Sequence, residues 1–286
     1  MSRRNIVFFH AESWDGRMLG NMDHPAMATA TPHVDRIARQ GTQFVNTYCS
    51  HPICCPSRAN TWSGRYTPNC ESWNNHKGLE PGMWSLLSEL PDTHACGHFG
   101  KLDYMSGRHT QLARLSAWLC ASGVERPVFD TDPAQAAVPR EDRNRRNWAG
   151  DWNKVDRAID FMKQARSADR PFFCYISTGL AHTSTNTNQY WLDKIPEDLV
   201  DIPPRDDSEH PARRYQRTTK AWANGFDDET VRGYRRAYMA KCAEADALVG
   251  EVYDAMVELG LADDTYFVFA SDHGEMAMEH QDWSKM

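Results

Sequence analysis

Residues 5–15 read Asn5-Ile6-Val7-Phe8-Phe9-His10-Ala11-Glu12-Ser13-Trp14-Asp15. Asn5–Phe9 is a short apolar run rich in branched and aromatic residues, the pattern of a strand buried on both faces, and it leads directly into acidic residues. The same succession recurs along the chain. His94–Phe99 leads to Lys101, Pro171–Ile176 to His182, and Thr265–Ala270 to Asp272 and His273. Helical patterns lie between these runs, at Thr31–Gln40, Met83–Leu90, Asp151–Arg166 and Tyr234–Gly260. Val155, Ile159, Met162 and Ala165 share one face of the third; Leu248, Val252, Met256 and Leu259 have helical spacing in the fourth, where Gly260 suits the stop. The alternation predicts an α/β fold with a mostly parallel central sheet sandwiched by helices. Ligands of such sheets bind beyond the carboxyl ends of the strands. One crevice would then receive carboxylates, a lysine and two histidines, which points to an enzyme.

The chain has 286 residues, 41% hydrophobic and 25% charged, with 17 Gly and 15 Pro. This globular composition excludes wholesale disorder and a collagen-like fibre, and the length supports one large core or two modest ones. No run of about 18 apolar residues exists, so no bilayer-spanning helix and no membrane partner are expected. A net charge of −7 gives no electrostatic reason to expect nucleic acid. Met1-Ser2-Arg3-Arg4 runs straight into the first strand. As it stands the chain reads as cytoplasmic, and as periplasmic or secreted if a leader precedes it. Residues 123–150 and 196–228 lack periodicity and read as long loops.

A further chemistry-bearing segment is Cys54-Cys55-Pro56-Ser57-Arg58. Proline suits a first helical turn, and Ser57 through Trp62 can continue it. Cys54 then stands at a helix N-terminus, where N–H groups favour an anion, with Arg58 one turn on. A nucleophile there suits a negatively charged tetrahedral substrate. A structural Cys pair and a zinc half-site are the other readings, though no Cys-x-x-Cys partner or well-spaced His supports zinc. Cys49, Cys70, Cys96, Cys120, Cys174 and Cys242 read as small hydrophobes. Trp73, Trp84, Trp118 and Trp191 could stack on a sugar ring, with core packing the plainer reading.

Cys54-x-Pro56-Ser57-Arg58, followed by Ser63-Gly64-Arg65, resembles the signature of the Cys-type sulfatases of the alkaline phosphatase superfamily. The early acidic strand end, Gly100-Lys101, Ala181-His182 and Ser271-Asp272-His273-Gly274 stand in that family's order. Pro52–Ala59, Glu71–Asn75, Phe99–Tyr104 and Ser271–His280 are similar to a narrower group, arylsulfatase K and the bacterial hexuronate-2-sulfatases. The resemblance covers nearly the whole chain. It implies an N-terminal sulfatase catalytic domain over 1–286, truncated at its C-terminal end, without the smaller C-terminal domain such enzymes carry.

By this resemblance Cys54, not Cys55, is oxidised to formylglycine by a formylglycine-generating or cysteine-type sulfatase-maturing enzyme. One hydroxyl of the aldehyde hydrate attacks sulfur, and deprotonating the other expels sulfate. Glu12, Cys54, Asp272 and His273 match the family's metal positions, with Asp15 the alternative to Glu12. Carboxylates suit Ca²⁺ or Mg²⁺, while the histidine leaves Mn²⁺ and Zn²⁺ open. Arg58 would orient the hydrate, Lys101 and Lys285 would bind sulfate oxygens, and His182 would contact sulfate or protonate the leaving alcohol. Two positions depart from the pattern. Glu12-Ser13-Trp14-Asp15 stands where many sulfatases carry paired Asp, and Asp103 where many carry His. Lys285, beside the terminus, is expected to be loosely held. The implied substrate is a sulfated saccharide or other small sulfate ester, in the narrower group the 2-O-sulfate of a terminal uronic acid. Asn74, Asn75, His76 and Lys77 are candidates to bind it. Arg213, Arg214 and Arg217 read more simply as a solvated charge run. A phosphonate or phosphate monoester hydrolase of the same superfamily, a plain zinc phosphatase and an inactive saccharide-binding remnant compete with this reading.

Overall fold

The computed structural model describes residues 4–80, 82–103, 144–183, 186–205, 210–219, 225–283 and 285. Strands β1 (Asn5–Ala11), β2 (Ala95–Gly100), β3 (Phe172–Ser177) and β4 (Thr265–Ser271) form one four-stranded sheet, ordered β2-β3-β1-β4. Every pairing is parallel. The four expected strands are all present, and each runs one or two residues further at its C-terminal end.

Alternation of side chains divides β1, β2 and β3 between two cores, whereas β4 turns Phe267 and Phe269 to the first and leaves Tyr266 and Val268 exposed. Val7, Phe9 and Ala11 join Phe172, Cys174 and Ile176 on one face; Ile6 and Phe8 join Phe173 and Tyr175 on the other. The helices are α1 (Pro32–Gln40), α2 (Cys54–Ser63), α3 (Thr67–Cys70), α4 (Leu86–Glu89), α5 (Ala149–Ser167), α6 (Gln189–Leu192), α7 (Pro211–Thr219) and α8 (Asp228–Glu258). Helices α1, α5 and α8 fill the first core with Val34, Val155, Met162, Leu248 and Val252. Helices α2 and α4 supply Ala59, Trp62 and Leu87 to the second. The sheet is therefore sandwiched by helices. No described helix is long and apolar enough to cross a membrane.

Several elements differ from expectation. Of Met83–Leu90 only Leu86–Glu89 is α-helical: Ser85 and Ser88 form a capping box at its start, and Leu90-Pro91-Asp92 tightens into a 3-10 turn. Helix α8 begins at Asp228 rather than Tyr234, because the Asp227 side chain caps it by accepting from the Thr230 N–H at 2.8 Å. Gly260 follows its C-cap with φ +67°, the left-handed stop expected there. Residues 196–228 are not one loop, since they contain a 3-10 turn at Glu197–Leu199 and helix α7. Most of 123–150, together with Trp118 and Cys120, lies outside the described residues. Cys49 is exposed rather than packed, because it lies in an exposed stretch, residues 41–50, with no apolar layer over it. Trp73 and Trp84 are exposed too, whereas Trp191 is core.

The middle of α8 is buried on nearly every side and carries charges. Two of these end on other segments' N–H groups. Glu244 accepts from the Trp148 backbone and the Trp152 indole, and Asp246 accepts from the His33 and Val34 N–H groups at the start of α1.

Trp62 is fully buried against Tyr175, with ring centroids 4.8 Å apart, and seals α2 to the sheet. Trp62→Ala is expected to lower unfolding free energy by about 3–5 kcal/mol, read from a urea titration.

Candidate active site at the strand ends

The parallel sheet delivers Glu12 from the end of β1, Lys101 from β2, the turn bearing His182 from β3, and Asp272 with His273 from β4. Helix α2 brings Cys54 to them as its first residue. Ser57 N–H to Ile53 O is the first bond of that helix, so Pro56 forfeits nothing by lacking an N–H. The Cys54 Sγ lies 3.1 Å from Glu12 Oε1, 3.5 Å from His273 Nε2 and 2.7 Å from Lys285 Nζ. Cys55 points elsewhere, its N–H and thiol both engaging Asn75, and burial pushes that thiol's pKa up.

Arg58 is wholly buried and forms the floor of the site. Its Nε and Nη2 lie 3.0 and 2.8 Å from Asp272 Oδ2. Its Nη1 donates to Lys101 O, Tyr175 Oη and Ser177 Oγ at 3.0, 2.8 and 2.8 Å. Asp272 Oδ1 accepts in turn from the Ser13 and His273 N–H groups at 3.0 and 2.9 Å. Burial alone would raise the Asp272 pKa; Arg58 and His273 hold it below the usual carboxylate range. Glu12 is likewise opposed by burial and held well below its ordinary value by Lys101, His182 and Arg58.

Lys101 Nζ stands 2.6 Å from Glu12 Oε1 and 3.2 Å from Asp103 Oδ2. Gly100 makes this placement feasible: its φ is +113°, and a Cβ there would sit 2.0 Å from Ser177 O. His182 Nε2 lies 2.5 Å from Lys285 Nζ and 3.7 Å from Glu12 Oε1. Its Nδ1 faces the Thr183 carbonyl at 2.9 Å, which can only accept, so Nδ1 carries the proton and Nε2 a lone pair. The same logic at His273, whose Nδ1 faces Gly274 O at 2.8 Å, turns its Nε2 lone pair toward Cys54. Burial, then the Lys285 charge, pushes His182 down to about 3; burial, then Arg58, does the same to His10 beneath the site.

Among the described residues, Glu12, Cys54, Asp272 and His273 form a buried group whose ligand atoms all lie within 4.8 Å of one another. Atoms that close can share one ion at distances of about 2.3–2.6 Å. Two carboxylates, an imidazole lone pair and a thiol are chemically suited to a divalent cation.

Residues 4–285 match the family described as Sulfatase. The chain belongs to the sulfatase family. Arylsulfatase K of Canis lupus familiaris is 35% identical over 308 residues, covering 99% of this chain and 55% of that protein. Arylsulfatase K of Homo sapiens is 34% identical over 309 residues, with shares of 99% and 55%. The chain thus spans about half the length of the curated relatives it matches. Phosphonate monoester hydrolase of Agrobacterium radiobacter superposes with TM-score 0.75 at 20% identity, over 99% of this chain and 65% of that one. A structure described as a 2-O GAG sulfatase superposes with TM-score 0.64 at 18% identity, over 100% and 61%. At those identities the two structures establish the sulfatase-like fold alone.

In this sulfatase-family chain the expected residues Glu12, Cys54, Arg58, Lys101, His182, Asp272, His273 and Lys285 all converge. Asp15 does not join them: its carboxylate binds Arg17 at 2.6 Å, and its N–H donates to the Tyr238 hydroxyl. Lys285, expected to be loose, is held between Cys54 and His182 with its side chain 14% exposed. Asn75 reaches the mouth of α2 through Cys55, and the Asn74 side chain accepts from the His76 N–H. Lys77 spends its ammonium on Glu71 and Glu80, at 3.2 and 3.3 Å. Arg213 and Arg214 belong to α7, and Arg214 is exposed. Sequence reasoning missed Tyr175 and Ser177 as partners of Arg58, and Lys241 behind His182. Their side chains lie in the core by virtue of strand alternation and helix docking, which local sequence does not disclose.

The site dictates a pH dependence of stability. An unfolded histidine protonates near pH 6.5, whereas folded His10 and His182 resist protonation until about pH 3. The unfolded chain therefore binds more protons in that window. The stability these two histidines carry is fully present above about pH 6.5 and drains as pH falls toward 3, outweighing the opposing carboxylate of Asp246, which burial raises to about 7. Glu12 and Asp272, held below their ordinary values, add loss in the same direction below about pH 4.5. Urea midpoints should fall steadily from about pH 7.5 to 4; a flat or rising profile would contradict this assembly.

Proposed function

We propose that this chain hydrolyses sulfate monoesters, with residue 54 as the nucleophile after conversion of its cysteine to formylglycine. The observation that carries the reading is Cys54 itself. It opens a buried helix and touches Glu12, His273 and Lys285 at once. The hydrate of the aldehyde would offer one hydroxyl to sulfur, and loss of the proton from the other would release sulfate.

Charge supports an anionic substrate. Glu12, Asp103 and Asp272 bring three negative charges; Arg58, Lys101 and Lys285 bring three positive ones. The protein groups thus balance. A divalent ion on Glu12, Asp272, His273 and residue 54 would leave a net positive charge and polarise both nucleophile and sulfate. Ca²⁺ or Mg²⁺ suits the carboxylates, with Mn²⁺ next because of His273. Arg58 acts through Asp272 and Glu12, since its Nε and Nη1 are committed to the strand ends. Lys101 and Lys285 draw sulfate oxygens. Lys285 donates to His182 Nε2, and this pair passes a proton to the departing alcohol oxygen. A maturing enzyme of the formylglycine-generating or cysteine-type class would have to reach residues 54–58 before folding buries them.

The finer reading is removal of a 2-O-sulfate from a terminal uronic acid of a saccharide. It rests on the stretches similar to arylsulfatase K and on 34–35% identity to those proteins over 99% of this chain. The substrate's carboxylate then needs a reader. Lys77 already serves Glu71 and Glu80, so exposed His76 takes that role.

The deciding measurement is the mass of the peptide spanning Cys54 from protein co-produced with a maturing enzyme. Loss of the thiol with gain of an aldehyde is expected, and Cys54→Ala should lower sulfatase turnover about a thousandfold or more. An unaltered thiol in active protein overturns the mechanism. Faster turnover of phosphate or phosphonate esters would transfer the chain to that class, and saccharide binding without turnover would make it a remnant. For the uronate, His76→Ala should lower kcat/KM for the sulfated uronate about tenfold relative to an aryl sulfate. Lys77→Ala should leave that ratio unchanged.

A further inference from the structure

Lys241 lies in the enclosed middle of α8, with no exposure to water. An ammonium at that depth is costly unless it is paired and hydrogen-bonded. Its Nζ donates to the His182 backbone carbonyl and lies 4.3 Å from the centroid of the Trp148 ring. Burial lowers its pKa to about 8, against the opposing pull of Asp151 and Glu244, so it remains charged at neutral pH.

The turn carrying His182 is also held from the other side. Asp151 Oδ2, on α5, accepts from the Gly179 and Leu180 N–H groups at 2.8 and 2.9 Å. The His182 N–H closes the turn onto Gly179 O at 2.9 Å. The Glu12 backbone pairs with it through Glu12 N–H to Leu180 O, 3.0 Å, and Ala181 N–H to Glu12 O, 2.6 Å. One turn earlier on α8, the Tyr238 hydroxyl donates to Ser13 O at 2.7 Å and accepts from the Asp15 N–H at 2.8 Å. A single helix face therefore grips the backbone on both sides of the Glu12–His182 contact.

We propose that Lys241 is a positioning residue: its bond to the His182 carbonyl sets where the imidazole stands against Lys285 and Glu12. The ring and the backbone move together, because His182 Nδ1 is tied to the carbonyl of the next residue, Thr183. A shift of the His182 carbonyl therefore carries Nε2 away from its 2.5 Å contact with Lys285. A methionine would fill most of the same volume without the cost of burying a charge; what it lacks is a donor aimed at that carbonyl. The catalytic consequence rests on the sulfatase reading above; the effect on ring geometry does not.

The test uses the full chain carrying Lys241→Met. Ring nitrogens are read by two-bond ¹H–¹⁵N correlation, with His182→Gln to assign the signal. Turnover is measured with 4-nitrophenyl sulfate and with phenyl sulfate. The His182 Nε2 resonance should move. The kcat should fall about tenfold for 4-nitrophenyl sulfate and further for phenyl sulfate, whose poorer leaving group depends more on proton transfer, while KM changes less than about twofold. Should Lys241→Met fail to fold, Asp151→Asn, which loosens the other anchor of the turn, is scored on the same two readouts. An unchanged ring signal overturns the positioning role, as does an unchanged kcat in a chain whose wild type is active. If the wild type hydrolyses no sulfate ester, the ring signal alone decides this inference, and the loss falls on the functional reading.

Discussion

A guanidinium sealed from water fixes the geometry of this site. Arg58 rises from α2 and meets the ends of all four strands: Asp272 after β4, Lys101 O after β2, Tyr175 and Ser177 on β3, and Glu12 after β1 at 3.8 Å. A buried ion pair of this kind adds little net stability beside an apolar replacement, yet removing one member leaves an uncompensated charge. Its consequence is geometrical. The contact sets how α2 sits on the sheet, and Cys54, one turn earlier, is set with it.

The same device recurs on the opposite face of the sheet. Three buried charges of α8 end on backbone groups of other segments. Glu244 holds the start of α5, Asp246 the start of α1, and Lys241 the His182 turn. Each satisfies donors or acceptors that a helix terminus or turn would otherwise leave unmet. The sheet thus carries a site whose two sides are tied down independently, by α2 from one face and by α5 and α8 from the other. Such fixed dipoles and charges act strongly because the surroundings exclude water.

The strands were legible because a strand covered on both faces has to be a continuous apolar run, as β1 and β3 are, and β4 is apolar from Tyr266 to Ala270 although Tyr266 and Val268 on its outer face are exposed. The helix opening at Cys54 was legible because Pro56 suits a first helical turn and Ser57 through Trp62 can continue it. The early start of α8 was not, since it depends on a single cap at Asp227. Lys241, Glu244 and Asp246 were not either: on a periodicity argument three charges within six positions belong to a solvated face. Residues 74–77 stand beside the site in sequence order, but nothing local shows that Lys77 is engaged by Glu71 and Glu80. Nor does the sequence show that Lys285, close to the last residue, is drawn in by Cys54 and His182.

The sequence by itself determined the repertoire: four apolar runs each ending in charged or imidazole groups, one cysteine at the mouth of a helix, and their order along the chain. Those follow from periodicity and local backbone preference, which act over a few residues. Which of these groups meet was decided only by the tertiary structure. The order β2-β3-β1-β4 places Glu12 between residues contributed by the third and fourth strands, and it turns Asp15 outward to Arg17 while Glu12 turns in. Neighbours of that kind are set by which apolar faces can be buried together, a property of the whole packed core that no short window of sequence contains.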